Sequence, residues 1–150
     1  MVRDRRGVEG VPLKLMLVAL ILSLSTPVVI STMERYQGSI GDALLAAEGE
    51  RLAAAVAEVY SAGEGNIRKV ALDLPVDGRD AHLEVGGNGT SAMAIRCCSE
   101  GRLVRTIYLT EPPIRMLTSD GSLLSLGPGK VDVVLEAVLT DGKLVVTVGV

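Results

Sequence analysis

The sequence predicts an α+β fold in which one long N-terminal α-helix packs on a C-terminal antiparallel β-sheet or small β-sandwich. Between Val11 and about Ala62 the chain is dominated by Ala, Leu, Glu and Arg, which are good helix formers, and it contains no strong terminator. After a break at residues 63–66, apolar residues alternate with polar ones, as they do in strands with one buried face. The first half of the helix is apolar enough to span a membrane, and the second half is amphipathic.

Basic residues followed by an apolar run mark the N-terminus. Arg3, Arg5 and Arg6 precede residues 11–30, which are apolar apart from Lys14 and small hydroxyl residues. Because Arg and Lys cross hydrocarbon at a cost of about 2.5–3.5 kcal/mol each, we expect the basic end to stay in the cytoplasm and the rest of the chain to lie outside. Residues 31–36 fit the Ala-x-Ala site of a cleaved secretory signal poorly, so we expect the helix to remain attached.

The motif Arg5-Arg6-Gly7-Val8 resembles the class III signal peptide of archaeal type IV pilin-like proteins. The resemblance implies that a prepilin peptidase cuts after Gly7 and makes Val8 the new N-terminus, while the apolar helix stays on the mature protein. Gly10 is a second candidate for the cut. The resemblance extends to the layout of the whole chain, a long helix followed by a small strand-rich domain.

Four segments follow from the motif and the residue pattern together. We expect a cytoplasmic leader peptide, a transmembrane or filament-core helix, an amphipathic extension of that helix and an extracellular β-rich domain. These segments are residues 1–7, 8–31, 32–62 and 63–150, in that order.

The outer half of the helix carries an apolar face that needs a partner surface. That face consists of Leu45, Leu52, Val56 and Val59, and charged residues lie opposite. Gly41 and Gly49 project from the same side, so a sheet or another helix can approach the backbone closely there. The alternative is that Gly38 and Gly41 break the segment into two helices, because an interior Gly costs about 1 kcal/mol relative to Ala.

Pro27 lies inside the apolar run and is expected to kink the helix or melt a turn near Ser23. Lipid tolerates the freed backbone groups only when neighbours satisfy them. Ser23, Ser25 and Thr26 are local candidates, and subunits packed around the helix in a filament are another. Equally, Pro is simply commoner in membrane helices than in soluble ones.

The β-rich domain must build its core without large aromatic residues, because the chain has no Phe, no Trp and three Tyr. The clearest hairpin pairs residues 131–139 with residues 144–150 through Asp141-Gly142, the two residues that a type I′ turn prefers. We expect this pair to be central to the sheet. Shorter strands are predicted near residues 70–74, 83–85, 93–95 and 103–109.

Residues with catalytic or metal-binding chemistry are sparse, and we expect no catalytic residue, cofactor or metal site. The single histidine, His82, shares a strand face with Glu84 and is expected to be a solvated strand residue. One histidine supports neither a Ser/His/Asp arrangement nor the usual metal sites. A weak Ca²⁺ site in a mildly acidic patch is the alternative. That patch consists of Asp73, Asp77, Asp80 and Glu84.

Cys97 and Cys98 are adjacent, so they lack the Cys-x-x-Cys spacing of redox and zinc motifs. In a strand, Cys97 points inward and Cys98 outward. Two free thiols, a vicinal disulfide and a bond from Cys98 to another subunit are the alternatives, of which we favour the first. Asn88-Gly89-Thr90 is an N-glycosylation sequon in a Gly-rich turn.

The resemblance implies a structural subunit of a surface filament, and the residue patterns favour a single membrane pass with a cytoplasmic N-terminus. The partners expected from the sequence and the resemblance are membrane lipid, the prepilin peptidase, the pilus assembly machinery and other copies through the N-terminal helix. The alternative is a membrane-anchored extracytoplasmic β-domain that acts as a binding or accessory module without polymerising. A net charge of −3 argues against a nucleic-acid partner, and no group of residues indicates an enzyme.

Overall fold

The computed structural model describes residues 6–76 and 78–150, with the backbone alone described for residues 6–11. The chain forms two compact units, Met1–Ser39 and Ile40–Val150. Within the described part there are one α-helix, eight strands and a short 3₁₀ turn, Gly89–Met93. The helix and strands are α1 (Arg6–Ala62), β1 (Ile67–Leu74), β2 (Ala81–Gly86), β3 (Ala94–Ser99), β4 (Arg102–Tyr108), β5 (Met116–Thr118), β6 (Leu123–Leu126), β7 (Gly129–Thr140) and β8 (Lys143–Gly149).

Helix α1 is continuous through its glycines, so the alternative of two separate helices is wrong. Gly41 and Gly49 are buried, which shows that packing outweighs their low helix propensity. The helix ends at Ala62 because Gly63 has a φ of +89°, the left-handed conformation that commonly terminates helices. The Asn66 side chain then donates a hydrogen bond of 2.8 Å to the free carbonyl of Ala62.

The strands form two four-stranded sheets, which confirms the predicted α+β class. The first sheet has the order β1-β7-β8-β5 and the second has the order β4-β3-β2-β6. All neighbours are antiparallel except β5 and β8, which pair in parallel. Strands β5 and β6 were not predicted, because three or four residues are too few to display a clear alternation.

The β7–β8 hairpin is the element that the sequence predicts best. Asp141 and Gly142 have φ values of +51° and +71°, as a type I′ turn requires. The two strands occupy the inner positions of the first sheet, as expected. For the strand predicted near residues 93–95, the placement of Met93 is wrong, because the 3₁₀ turn extends to Met93 and β3 begins at Ala94.

The outer part of α1 consists of residues 40–62. Its apolar face is buried in a core that it shares with both sheets. Leu45, Leu52 and Val56 are completely buried, and Val59 is 3% exposed. Full burial of a Leu or Val side chain stabilises a fold by about 1.5–3 kcal/mol, so these four side chains make a large contribution. The compact β-containing unit therefore begins at Ile40, within the helix, and includes all four of these residues.

Gly49 is a point of close approach between α1 and the second sheet. A Cβ atom at this position would lie 2.8 Å from Cys97 Sγ and 3.1 Å from Ile107 Cδ1. Residues on either side of Gly49 hold the helix to the two sheets. Glu48 Oε2 accepts a hydrogen bond of 3.3 Å from the backbone N–H of Asp73 in β1, and Glu50 Oε1 lies 2.7 Å from Arg105 Nη2 in β4.

Replacing Gly49 with leucine is expected to destabilise the Ile40–Val150 unit by about 1–3 kcal/mol, because the new side chain has no space against Cys97 and Ile107. The matched control is Ala54→Leu, which places the same side chain on an exposed position of the same helix. Thermal unfolding followed by circular dichroism in detergent measures the difference. Equal melting temperatures for the two variants would contradict the close approach.

Candidate functional site

The inner part of α1, residues 12–39, exposes a continuous apolar surface. Thirteen large apolar side chains there are 52–73% exposed. The helix is long and apolar enough to cross a membrane, judged by length and composition. Exposed apolar patches of this extent mark protein–protein or membrane contacts. The side chains are Leu13, Leu15, Met16, Leu17, Val18, Leu20, Ile21, Leu22, Leu24, Val28, Val29, Ile30 and Met33.

The hydroxyl groups in this surface are satisfied by the helix itself. Ser25 Oγ donates to the Ile21 carbonyl at 2.7 Å, and Thr26 Oγ1 donates to the Leu22 carbonyl at 2.6 Å. Ser31 and Thr32 both donate to the Val28 carbonyl, at 3.0 and 2.7 Å. Because each of these hydroxyl groups already donates a hydrogen bond to the backbone, it can enter an apolar environment without a large desolvation cost.

Pro27 lies within continuous helix, so the melted turn that the sequence allowed near Ser23 is absent from the described residues. The neighbouring hydroxyl groups do not replace the hydrogen bond that Pro27 removes at the Ser23 carbonyl. Ser23 donates instead to Leu20 at 2.9 Å, and Ser25 and Thr26 donate to carbonyls earlier in the helix. The kink at Pro27 stays a prediction.

The predicted cleavage site lies at the beginning of the described chain. Gly7 and Val8 belong to the helical backbone of α1, and only their backbone is described. Residues 1–5 of the predicted leader also lie outside the described residues. Processing after Gly7 therefore stays a prediction.

A second group of chemically active side chains lies on the second sheet, on the face opposite its core. His82 and Glu84 are two residues apart in β2, and the antiparallel register pairs His82 with Cys98 of β3. One ligand-type atom from each of the three residues lies within 4.8 Å of the other two. His82 was expected to be solvated, yet only 18% of its side chain is exposed.

Charged residues lie on two sides of the His82, Glu84 and Cys98 group. Arg96 Nε lies 3.2 Å from Glu84 Oε2, and these two residues are also cross-strand partners. Asp80 Oδ1 lies 3.7 Å from His82 Nδ1, while His82 Nε2 lies 3.8 Å from Glu84 Oε1. The imidazole therefore has a carboxylate near each nitrogen.

Cys97 and Cys98 are free in this chain. Their side chains lie on opposite faces of β3, as expected of adjacent residues in a strand. A β-bulge shifts the β3–β4 register between them. Burial raises the pKa of Cys97 to about 11, with a smaller contribution from Cys98. Burial, followed by the nearby Glu84 carboxylate, also raises the pKa of Cys98. Both thiols are therefore protonated at neutral pH and are weak nucleophiles.

The remaining predicted sites are spread over the molecule. Asn88 directly precedes the 3₁₀ turn and Thr90 lies within it, and both are exposed, which is compatible with the predicted glycosylation. The predicted acidic patch is divided, because Asp73 lies in the first sheet while Glu84 lies in the second. Asp77 lies outside the described residues.

The group of His82, Glu84 and Cys98 was not predicted as a unit. Strand parity placed His82 with Glu84 and pointed Cys98 outward, but the sequence contained no sign of the β2–β3 register. The register of β2 with β3 is set by the residues that both strands bury in the core, such as Leu83 and its cross-strand partner Cys97.

Comparison of the chain with protein-family models, with curated proteins and with solved structures gives no match. Two features of the described residues offer chemistry or a contact surface. One is the apolar surface of α1, and the other is the polar group on β2 and β3.

The two thiols are expected to react very differently with iodoacetamide in the presence of a chelator. With its pKa at about 11, Cys97 has about one thiolate per thousand molecules near pH 8, and its sulfur is buried against Gly49. Cys98 is partly exposed and is expected to react first, while modification of Cys97 rises as the pH increases from about 9 towards 11.

Tandem mass spectrometry of the peptide containing both cysteines measures this difference. As the control, both thiols are expected to react equally in a denaturant. Equal modification of the two residues near pH 8 in the folded chain would contradict the burial of Cys97.

Proposed function

We propose that this chain is a structural subunit of an archaeal type IV pilus-like surface filament, processed by a prepilin peptidase. The observation that carries the proposal is the exposed apolar surface of α1, which begins a few residues after a basic segment ending in Gly7. A helix of this kind needs lipid or other apolar helices around it. The β-containing unit, with its own core, would lie outside the cell.

The chemistry of α1 suits both environments that a filament subunit meets. In a bilayer, the self-satisfied hydroxyl groups and apolar side chains can face lipid. In a filament core, the same surface can pack against copies of itself. Burial from water is worth about 25 cal/mol per Å² of apolar surface in either place, so the hydrophobic effect does not drive the transfer from lipid to filament. Transfer would therefore require an energy-consuming assembly machine.

Processing is tested by the mass of the mature protein. In cells that contain the peptidase, Gly7→Leu is expected to abolish cleavage and leave the full-length chain, because a leucine side chain replaces the glycine that ends the basic motif. Gly10→Leu is the matched control and is expected to be cleaved normally. Intact mass spectrometry of the membrane fraction reports both results. If Gly7→Leu still gives a mature protein with the same mass as the unsubstituted chain, processing at Gly7 is contradicted. Loss of cleavage in Gly10→Leu alone would also contradict it.

Self-association through α1 is tested by photo-crosslinking in the membrane and in surface material released by shearing. A photoreactive residue at Leu24, which is 67% exposed, is expected to give a ladder of multimers in the sheared material. The matched control is Tyr108, which is 64% exposed but lies in β4, and which reports background collisions. If the Leu24 variant gives only uncrosslinked monomers in the membrane and no protein in the sheared material, the result would support the plain membrane anchor instead.

A further inference from the structure

We propose that His82, Glu84 and Cys98 form a binding site for one divalent transition-metal ion of the zinc class on the outer face of β2 and β3. This site goes beyond the filament function and does not depend on it. The proposal rests on the donor atoms, on their distances and on the charged residues that orient them.

The register of the two strands brings the donors together. His82 and Cys98 are directly opposite each other, and Glu84 follows on the same face of β2. The three donor atoms lie within 4.8 Å of one another. Zinc binds sulfur at about 2.3 Å and nitrogen or oxygen at about 2.0–2.2 Å, so tetrahedral ligands are about 3.3–3.8 Å apart. On binding, the three side chains would rotate to bring their donor atoms closer together.

The surrounding residues leave the correct atoms free for a metal. Asp80 lies 3.7 Å from His82 Nδ1 and so favours a proton there, which leaves Nε2 as a donor facing Glu84 Oε1 at 3.8 Å. A carboxylate that orients a metal-binding histidine in this way is a common outer-shell partner. Arg96 holds Glu84 Oε2 at 3.2 Å and leaves Oε1 for the metal, although its positive charge weakens the attraction for a cation.

The donor set selects the class of metal. One thiolate, one imidazole and one carboxylate suit Zn²⁺ and chemically similar ions such as Co²⁺, whereas Ca²⁺ and Mg²⁺ prefer sites built only from oxygen. Three protein ligands leave a fourth position of the tetrahedron, and the side chains of His82 and Glu84 are 18% and 23% exposed. Water can therefore occupy the fourth position. When the ion binds, the Cys98 thiol loses its proton to solvent and the sulfur forms the metal bond.

Cobalt spectroscopy tests the proposal on the full chain in detergent. The chain is untagged, because a histidine tag would bind the metal, and it is reduced and freed of metal beforehand. Titration with Co²⁺ is expected to give a sulfur-to-cobalt charge-transfer band that saturates at one ion per chain and is lost when Zn²⁺ is added. The band is expected to disappear in Cys98→Ala and to persist in the matched control Cys97→Ala. Absence of the band in the natural chain, or its persistence in Cys98→Ala, would overturn the proposal.

Thiol protection gives a second test that needs no variant. Zn²⁺ is expected to slow the alkylation of Cys98 by at least about tenfold, because the metal-bound sulfur is no longer available. Ca²⁺ and Mg²⁺ are expected to leave the rate unchanged. The same rate with and without Zn²⁺ would show that the three residues are an ordinary polar cluster and would overturn the proposal.

The role of Asp80 as a positioning residue is tested separately. Asp80→Asn is expected to weaken Co²⁺ binding by about 10–100-fold while the shape of the absorption spectrum stays the same, since the three ligands are retained. His82→Asn, in contrast, is expected to change the spectrum as well as the affinity. Unchanged affinity in Asp80→Asn would remove Asp80 from the site, and an unchanged spectrum in His82→Asn would contradict ligation by the imidazole.

Discussion

The close packing of the outer part of α1 against both sheets is the interaction on which the β-containing unit depends. The chain has no Phe and no Trp, so it cannot fill its core with a few large aromatic side chains. Leu, Val and Ile side chains must instead come from the helix and from both sheets into one cluster. Gly49 makes this possible because its missing side chain provides the space that Cys97 and Ile107 occupy. The burial of Cys97, and with it the high pKa of its thiol, is a consequence of the same contact.

A single helix meets two different physical demands along its length. In the first unit its apolar side chains are exposed on all sides and its hydroxyl groups bond to its own backbone. In the second unit one face is buried in a core, while charged residues on its flanks bind the sheets. Helix propensity alone does not distinguish these two parts, because Ala, Leu and Val serve in both. The difference lies in how many charges each part carries, since charged residues are sparse in the first part and more frequent in the second.

The polar face of the second sheet follows from the same core. Leu83 and Cys97 point into the interior, so their neighbours His82, Glu84 and Cys98 must point to the other side. Strand pairing then places residues together that are 14 positions or more apart in the chain, such as Glu84 and Cys98. The nearby Arg96 and Asp80 limit how these side chains can turn. Burying one face of the sheet thus brings three donor side chains together on the opposite face, and the proposed metal site is built from them.

The sequence by itself determined the features that depend on neighbouring residues. These include the long helix, its exposed apolar part and its buried stripe, the alternation of the longer strands and the Asp141-Gly142 turn, because periodicity and backbone preference act over a few residues. Only the tertiary structure decided which strands pair, how the eight strands divide into two sheets and which side chains meet across them. Short strands such as β5 carry too little pattern to be recognised, and the register of β2 with β3 depends on contacts across the whole core. For the same reason the chain shows that Cys98 faces outward, whereas only the folded sheet places it beside His82.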